Sequence, residues 1–148
     1  MEITRRCDYA CRILRAAYER GDSFISIADV AERENIPYSF ARSIQHDLVK
    51  EGYLKTNRGA RGGLTLACDP SKTTLLDLLT TMKGAVSMAP CADPGFVCEH
   101  KEDCVFNCAW VVADSLVHAL FSSITLADLF ECGSDHPAFK KALSLKSF

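Results

Sequence analysis

The chain has 148 residues, 48% of them apolar and 24% charged, the balance of a folded protein of one domain or of a small domain with an appended segment. No uninterrupted apolar run reaches the ~18 residues of a membrane span. Arg5, Arg6, Asp8, Arg12 and Arg15 stud the opening stretch, where an export signal would have its apolar core, so a cytoplasmic protein with reduced thiols is expected.

The net charge of −2 conceals a split: residues 1–66 hold eleven Lys/Arg against nine Asp/Glu, and residues 67–148 hold six against ten. The mild basic excess of the first part removes an objection to nucleic-acid binding without arguing for it.

In chain order, Ile3, Tyr9, Ala10, Ile13, Leu14 and Ala17 recur at helical spacing and predict a helix from Ile3 to about Glu19, ended by Gly21-Asp22. Ser26, with Asp29 three residues on, caps a second helix from Ile27 to Arg33. Asn35-Ile36-Pro37 makes a short turn, and Pro37 suits the first turn of a third helix that runs to about Lys50 and is stopped by Gly52. Two short strands follow, near Tyr53–Thr56 and Leu64–Ala67, joined through Arg58-Gly59-Ala60-Arg61-Gly62-Gly63. Three helices and a hairpin, with a tight turn between the second and third helices, form a winged helix-turn-helix.

After Asp69-Pro70, Thr74-Leu75-Leu76-Asp77 opens a capped helix that ends near Gly84. Residues 85–103 have no clean period and read as a loop. From Cys104 to Ser123 the apolar residues Val105, Phe106, Trp110, Val111, Val112, Leu116, Val117, Leu120 and Phe121 nearly encircle a long helix, which asks for cover on more than one side. Thr125-Leu126-Ala127-Asp128 starts a short helix, followed by a basic, Ser-rich tail.

On the third helix, Phe40, Ala41, Ile44 and Leu48 share one face, and Ser39, Arg42, Ser43 and His46 share the other, with Gln45 and Lys50 at its edges. The second set is the kind that meets phosphates and base edges in a major groove. An ordinary solvated face has the same composition, and the hairpin is what separates the two readings. Its glycines allow a tight turn, and Arg58 and Arg61 stand at its tip, where guanidinium groups suit the negative potential of a narrow minor groove.

The run from Tyr38 through Ile44, the run Leu48-Val49-Lys50-Glu51-Gly52-Tyr53-Leu54 and the run Arg58-Gly59-Ala60-Arg61-Gly62-Gly63-Leu64 resemble the IscR/NsrR family of bacterial regulators. Thr4, Asp8-Tyr9-Ala10 and Arg12 near the start, and Ile124-Thr125-Leu126-Ala127-Asp128-Leu129 near the end, extend the resemblance over residues 1–130. It implies a homodimer held by the long late helix, a recognition helix in the major groove, a wing in the minor groove and a pseudo-palindromic double-stranded operator. By position, Arg42 and Ser43 would make the helix contacts, and Arg58 and Arg61 the wing contacts.

Cys91, Cys98, Cys104 and Cys108 are separated by six, five and three residues, which is neither a structural zinc spacing nor a ferredoxin run. Soft thiolates in a loop nevertheless suit an iron–sulfur cluster. The resemblance implies that Cys91, Cys98 and Cys104 ligate one, of the 2Fe–2S or 4Fe–4S type, with one additional residue in the first gap. The His ligand of the best-known members is replaced by Asn107. Asp8 stands where nitric-oxide-sensing members supply a carboxylate from the other subunit, and Cys108 competes with it as the fourth ligand. Asp8 alternatively pairs with Arg12 as a surface salt bridge. Cys7 and Cys11 flank Asp8 and read as core or as alternative thiols; Cys68 and Cys132 read as structural, His100 as an exposed loop residue, and His118 and His136 have no evident partner.

The expected fold is therefore mainly α with a small β-hairpin wing: a winged helix-turn-helix domain over 1–69, a connecting helix over 70–84 and a cysteine-rich, cluster-binding loop over 85–103. A dimerisation helix with a short following helix spans 104–130, and a tail spans 131–148. The expected function is that of a sequence-specific DNA-binding repressor, with activation as the other direction, sensing nitric oxide, redox state or iron–sulfur status. The rival is a cluster-free regulator controlled by a partner protein or small ligand. An enzyme is not expected, because no Cys-x-x-Cys motif and no acid–base pair is present.

Overall fold

Thr4 accepts the Cys7 amide in its side chain and starts helix α1 (Arg5–Glu19), two residues later than the apolar spacing predicts. The structure is a computed structural model and describes residues 3–59, 62–84, 86–92, 95–100 and 103–144. These divide into two compact units, Ile3–Thr73 and the residues from Thr74 onward.

In the first unit, α2 (Ile27–Arg33) is capped by Ser26, whose hydroxyl accepts the Asp29 amide at 3.1 Å. Its exit is fixed by Asn35 at φ 52°, the left-handed conformation that Asn tolerates better than most residues. The Asn35 and Ile36 amides donate back to Glu32 and Ala31, closing the turn before α3 (Tyr38–Lys50) begins behind Pro37. Gly52, at φ 79°, ends α3 in the same manner: its amide donates to Val49 and that of Tyr53 to Leu48.

Ile13 and Leu14 of α1, Val30 of α2 and Ile44 and Leu48 of α3 are fully buried against one another's helices, each contributing about 1.5–3 kcal/mol by leaving water. Phe40 departs from the expected core face. It is 55% exposed, because Ala41, Ile44 and Leu48 already fill the contact and Phe40 projects from the first turn at its edge. Strands β1 (Leu54–Asn57) and β2 (Gly63–Leu66) pair antiparallel in the register Leu54 to Leu66 and Asn57 to Gly63. Ile25, between α1 and α2, adds two backbone hydrogen bonds with Leu64, at 3.1 and 2.8 Å, which tie the hairpin to the helices.

In the second unit, α4 (Leu75–Lys83) and α6 (Leu126–Cys132) each open with a complete capping box, Thr74 with Asp77 and Thr125 with Asp128. The two starts lie side by side, joined by a Thr74–Thr125 bridge and by the Leu75 amide donating to Ile124 at 2.9 Å. Leu78, Leu79, Val86, Ile124 and Leu126 form the core there. Short 3₁₀ turns span Pro90–Ala92 and Gly133–Asp135. Helix α5 covers Asn107–Ser122, not the expected Cys104–Ser123: the Asn107 amide donates to Cys104 in a turn that precedes the helix. A further helix, α7 (Pro137–Ser144), forms in the segment expected to be a tail. The architecture is a mainly helical winged helix-turn-helix with a β-hairpin, followed by a long helix.

Candidate nucleic-acid interface and cysteine segment

Helix α3 presents Ser39, Arg42, Ser43 and His46 to solvent, the four residues expected on its polar face. The helix-turn-helix packing dictates this, since burying Ala41, Ile44 and Leu48 turns the opposite arc outward. Strand β1 then runs beside that arc. A groove of about 330 Å³ opens between them, lined by Arg42, Gln45, His46 and Val49 of α3 and by Thr56 and Arg58 of the hairpin. Three of those six residues, Arg42, His46 and Arg58, were picked from the sequence as a face and a wing; the structure sets them around one concavity. Thr56 was missed. Its position two residues beyond buried Leu54, with Lys55 between them, is a strand signal that says nothing about the helix opposite. Arg61 lies outside the described residues.

The hairpin's glycines are held by contact as well as by conformation. Gly59 has φ 120°, and its carbonyl accepts the Gly62 amide at 2.9 Å. A Cβ at Gly63 would sit 2.6 Å from the Ile25 carbonyl oxygen, and one at Gly62 would sit 2.3 Å from that of Asn57. Both neighbours are backbone, which cannot swing aside.

Helix α1 buttresses α3 through charge. Arg6 pairs with Asp47 and places its guanidinium 3.4 Å from the Ser43 hydroxyl, donating to it. Arg15 reaches Glu34 at 2.8 Å and Arg33 lies 3.4 Å from its other oxygen, which gives the largely buried carboxylate at the end of α2 two partners.

Asp8 sits in the first turn of α1 and pairs with Arg12 at 3.0 Å, the surface salt bridge that the sequence also allowed. Its neighbour Cys7 is fully buried. Burial, with help from the Asp8 carboxylate, pushes the Cys11 thiol up to about 12, so it stays protonated at neutral pH. Cys7 and Cys11 thus pack as small apolar groups. Burial likewise raises the Cys68 thiol. Cys132, expected to be structural, is instead exposed at the end of α6.

Cys91 lies in the 3₁₀ turn, which packs on α5; Cys98 and Cys104 lie in the irregular segment ahead of α5, and all three are half-buried free thiols. Cys108 is exposed on the first turn of α5. Because α5 starts after Cys104, the helical geometry that would have aimed Cys104 and Cys108 at one point is absent. Among the described residues no three His, Cys, Asp or Glu side chains stand close enough to hold a metal ion. The donor chemistry nonetheless fits an iron–sulfur cluster. Three thiols occupy one segment, and the Asn107 Nδ2, three residues past Cys104, is buried with no hydrogen-bond acceptor among the described residues, the kind of orphaned donor that a thiolate or sulfide would satisfy.

The residues ahead of Cys91 are clasped to α5. Asp114 accepts the Met88 amide at 2.7 Å, and one turn later His118 Nε2 donates to the Val86 carbonyl. His136 also finds partners: its Nδ1 accepts the Ala138 amide at 3.2 Å, and Nε2 lies 3.6 Å from Asp128. The His118 contact with Val86 had no sequence signal, since it depends on a loop folding back, whereas the His136–Ala138 hydrogen bond is local, two residues apart at the start of α7. His100 is exposed, as expected.

The model of a family described as "Rrf2: Iron-dependent Transcriptional regulator" matches residues 3–132. The chain is similar to the HTH-type transcriptional regulator IscR of Yersinia enterocolitica, 26% identical over 130 residues that cover 87% of this chain and 79% of that protein. Among solved structures it is similar to CymR, the global cysteine regulator of B. subtilis, with a TM-score of 0.74 and 25% identity over 88% of this chain and 96% of the other. The fold also matches T. potens IscR, with a TM-score of 0.67 at 21% identity, covering all of this chain and 93% of that one.

Proposed function

On the premise that this chain belongs to the Rrf2 family of transcriptional regulators, and is not an enzyme, we propose that it is a homodimer that reads a pseudo-palindromic duplex operator and is controlled through its cysteine segment. The observation that carries the reading is the groove in which Arg42, Gln45 and His46 of α3 face Thr56 and Arg58 of the hairpin. Such an arrangement lets one half-site meet helix and wing together. Arg42, His46, Ser39 and Ser43 serve base edges and phosphates of the major groove, and Arg58 and Arg61 the minor groove.

The dimer is held through α5. No residue of that helix is fully buried, and Trp110, Val111, Val112 and Leu116 are each at least 40% exposed, a stripe that a second copy of the helix would cover. No helix among the described residues is long and apolar enough to cross a membrane.

Cys91, Cys98 and Cys104 would hold an iron–sulfur cluster, with Asp8 of the other subunit or Cys108 as the fourth ligand. The word iron in the family description and the orphaned Asn107 donor favour this. When bound, the cluster supplies a centre sensitive to redox state and nitric oxide. Asp8 is the ligand that gives control a physical route. It stands on α1, which packs on α3, so whatever engages the Asp8 carboxylate acts on the helix that positions the DNA-reading face. A coupling of this kind typically amounts to about 1–3 kcal/mol. The operator is then repressed or released according to the state of the cysteine segment.

The second reading is a cluster-free regulator answering a small molecule, favoured by the similarity to CymR, a cysteine regulator. Anaerobic purification with iron and sulfide counts and a visible absorption spectrum separates the two. Iron and sulfide near stoichiometric with the chain, lost together in a Cys91→Ser, Cys98→Ser, Cys104→Ser variant, is the expected result. A colourless, iron-free protein that still binds DNA would leave only the second reading. In Asp8→Ala, DNA binding should persist while its response to cluster loss shrinks by about fivefold or more; an unchanged response would remove Asp8 from the account.

A further inference from the structure

We infer that Arg6 is a positioning residue for DNA recognition, which masks the Asp47 carboxylate from the phosphate backbone and sets the Ser43 hydroxyl; the inference rests on the duplex-binding reading. Asp47 lies one helical turn beyond Ser43 on α3, at the flank of the arc that carries Ser39, Arg42 and His46. It is the one acidic residue of that helix, and 40% of its side chain is exposed. An unpaired carboxylate at the edge of a DNA-reading face repels the phosphates that the face must approach, and in a dimer the repulsion acts in both half-sites.

The structure places a counter-charge there from another helix. Arg6 reaches across from α1 so that one guanidinium nitrogen pairs with Asp47, while both terminal nitrogens lie within 3.5 Å of the Ser43 oxygen. The planar fork suits this double task, since a guanidinium can donate to two acceptors on one side at fixed separation, which an ammonium cannot. The Ser43 oxygen thus accepts from Arg6, and its own proton is free to be directed outward, toward a phosphate or a base acceptor. Arg6 is itself only one-third exposed, and both of its terminal nitrogens are engaged with α3. Its contribution to affinity therefore comes through Asp47 and Ser43 rather than through a phosphate contact of its own.

That distinction is testable with a double-mutant cycle, using full-length protein and a duplex selected from a randomised pool by the wild-type chain. Arg6→Ala is expected to weaken binding by about tenfold. Asp47→Asn introduced into that background should recover most of the loss, to within about threefold of wild type, because the charge that Arg6 neutralised is gone. Arg6→Lys should recover less than the double variant, since it keeps the charge but loses the fork. Thermal unfolding of each variant, expected to change by no more than a few degrees, separates lost positioning from lost folding. If Arg6→Ala and the double variant bind equally weakly, Arg6 touches DNA directly and the inference falls. If neither differs from wild type, the pair is an ordinary surface bridge and the inference falls as well. A wild-type chain that selects no duplex would instead refute the duplex-binding reading itself.

Discussion

Replacing Arg58 and Arg61 together by alanine is expected to weaken binding to a selected duplex by about a hundredfold or more while leaving the fold intact. The reasoning begins with charge. Each protomer contributes two wing guanidiniums, so a dimer would lose four, and each phosphate-neutralising cation adds close to one to the slope of log affinity against log salt. The salt slope should therefore fall by roughly three to four. Geometry adds to this, because Arg58 lines the same groove as Arg42 and His46, so removing it also uncovers one wall of the site. Stability should change little, since Arg58 is exposed and buttresses no core residue. Fluorescence anisotropy at several salt concentrations measures both quantities. Unchanged affinity with an unchanged slope would mean that the hairpin does not touch DNA.

Gly63→Ala is expected to cost about 2–4 kcal/mol of stability, lowering the unfolding temperature by roughly 10 °C. The added Cβ would lie 2.6 Å from the Ile25 oxygen and 2.8 Å from its carbonyl carbon, contacts that backbone cannot relieve without breaking the paired Ile25–Leu64 hydrogen bonds. The hairpin would then detach from the helices that orient it, and DNA affinity should fall with stability. Gly59→Ala makes the informative contrast. There φ is 120° but nothing stands within 4 Å, so strain without collision should cost only about 1 kcal/mol, confined to the tip. Equal effects of the two replacements, read by thermal or urea unfolding, would contradict the role given to the Ile25 contact.

The helices of the first unit were legible because local chemistry and tertiary demand agree there. Ser26 caps, Asn35 turns and Gly52 stops, and each performs in the structure the task its side chain suits. The second unit was less legible. The loop-borne clasp of Asp114 and His118 on Met88 and Val86 joins residues about thirty positions apart, and no periodicity carries that information. The start of α5 was misplaced by three residues because Val105 and Phe106 continue the apolar pattern backward, although the chain there is still a turn. Phe40 misled for the opposite reason: an aromatic residue at core spacing lay just beyond the edge of the contact. Of the candidate site, the polar face of α3 could be read from its period, whereas the groove needed the hairpin's placement, and the Arg6–Asp47 pair needed the packing of α1 on α3.

The claim on which the rest depends is that α3 and the hairpin close together on duplex DNA, twice per dimer. Selection of duplexes from a randomised pool by the purified full-length protein, followed by sequencing, tests it most directly. The account predicts enrichment of one pseudo-palindrome whose half-sites are spaced by whole turns of about 10–10.5 base pairs. A pool that emerges unenriched, or enriched in sequences lacking two-fold symmetry, would contradict it.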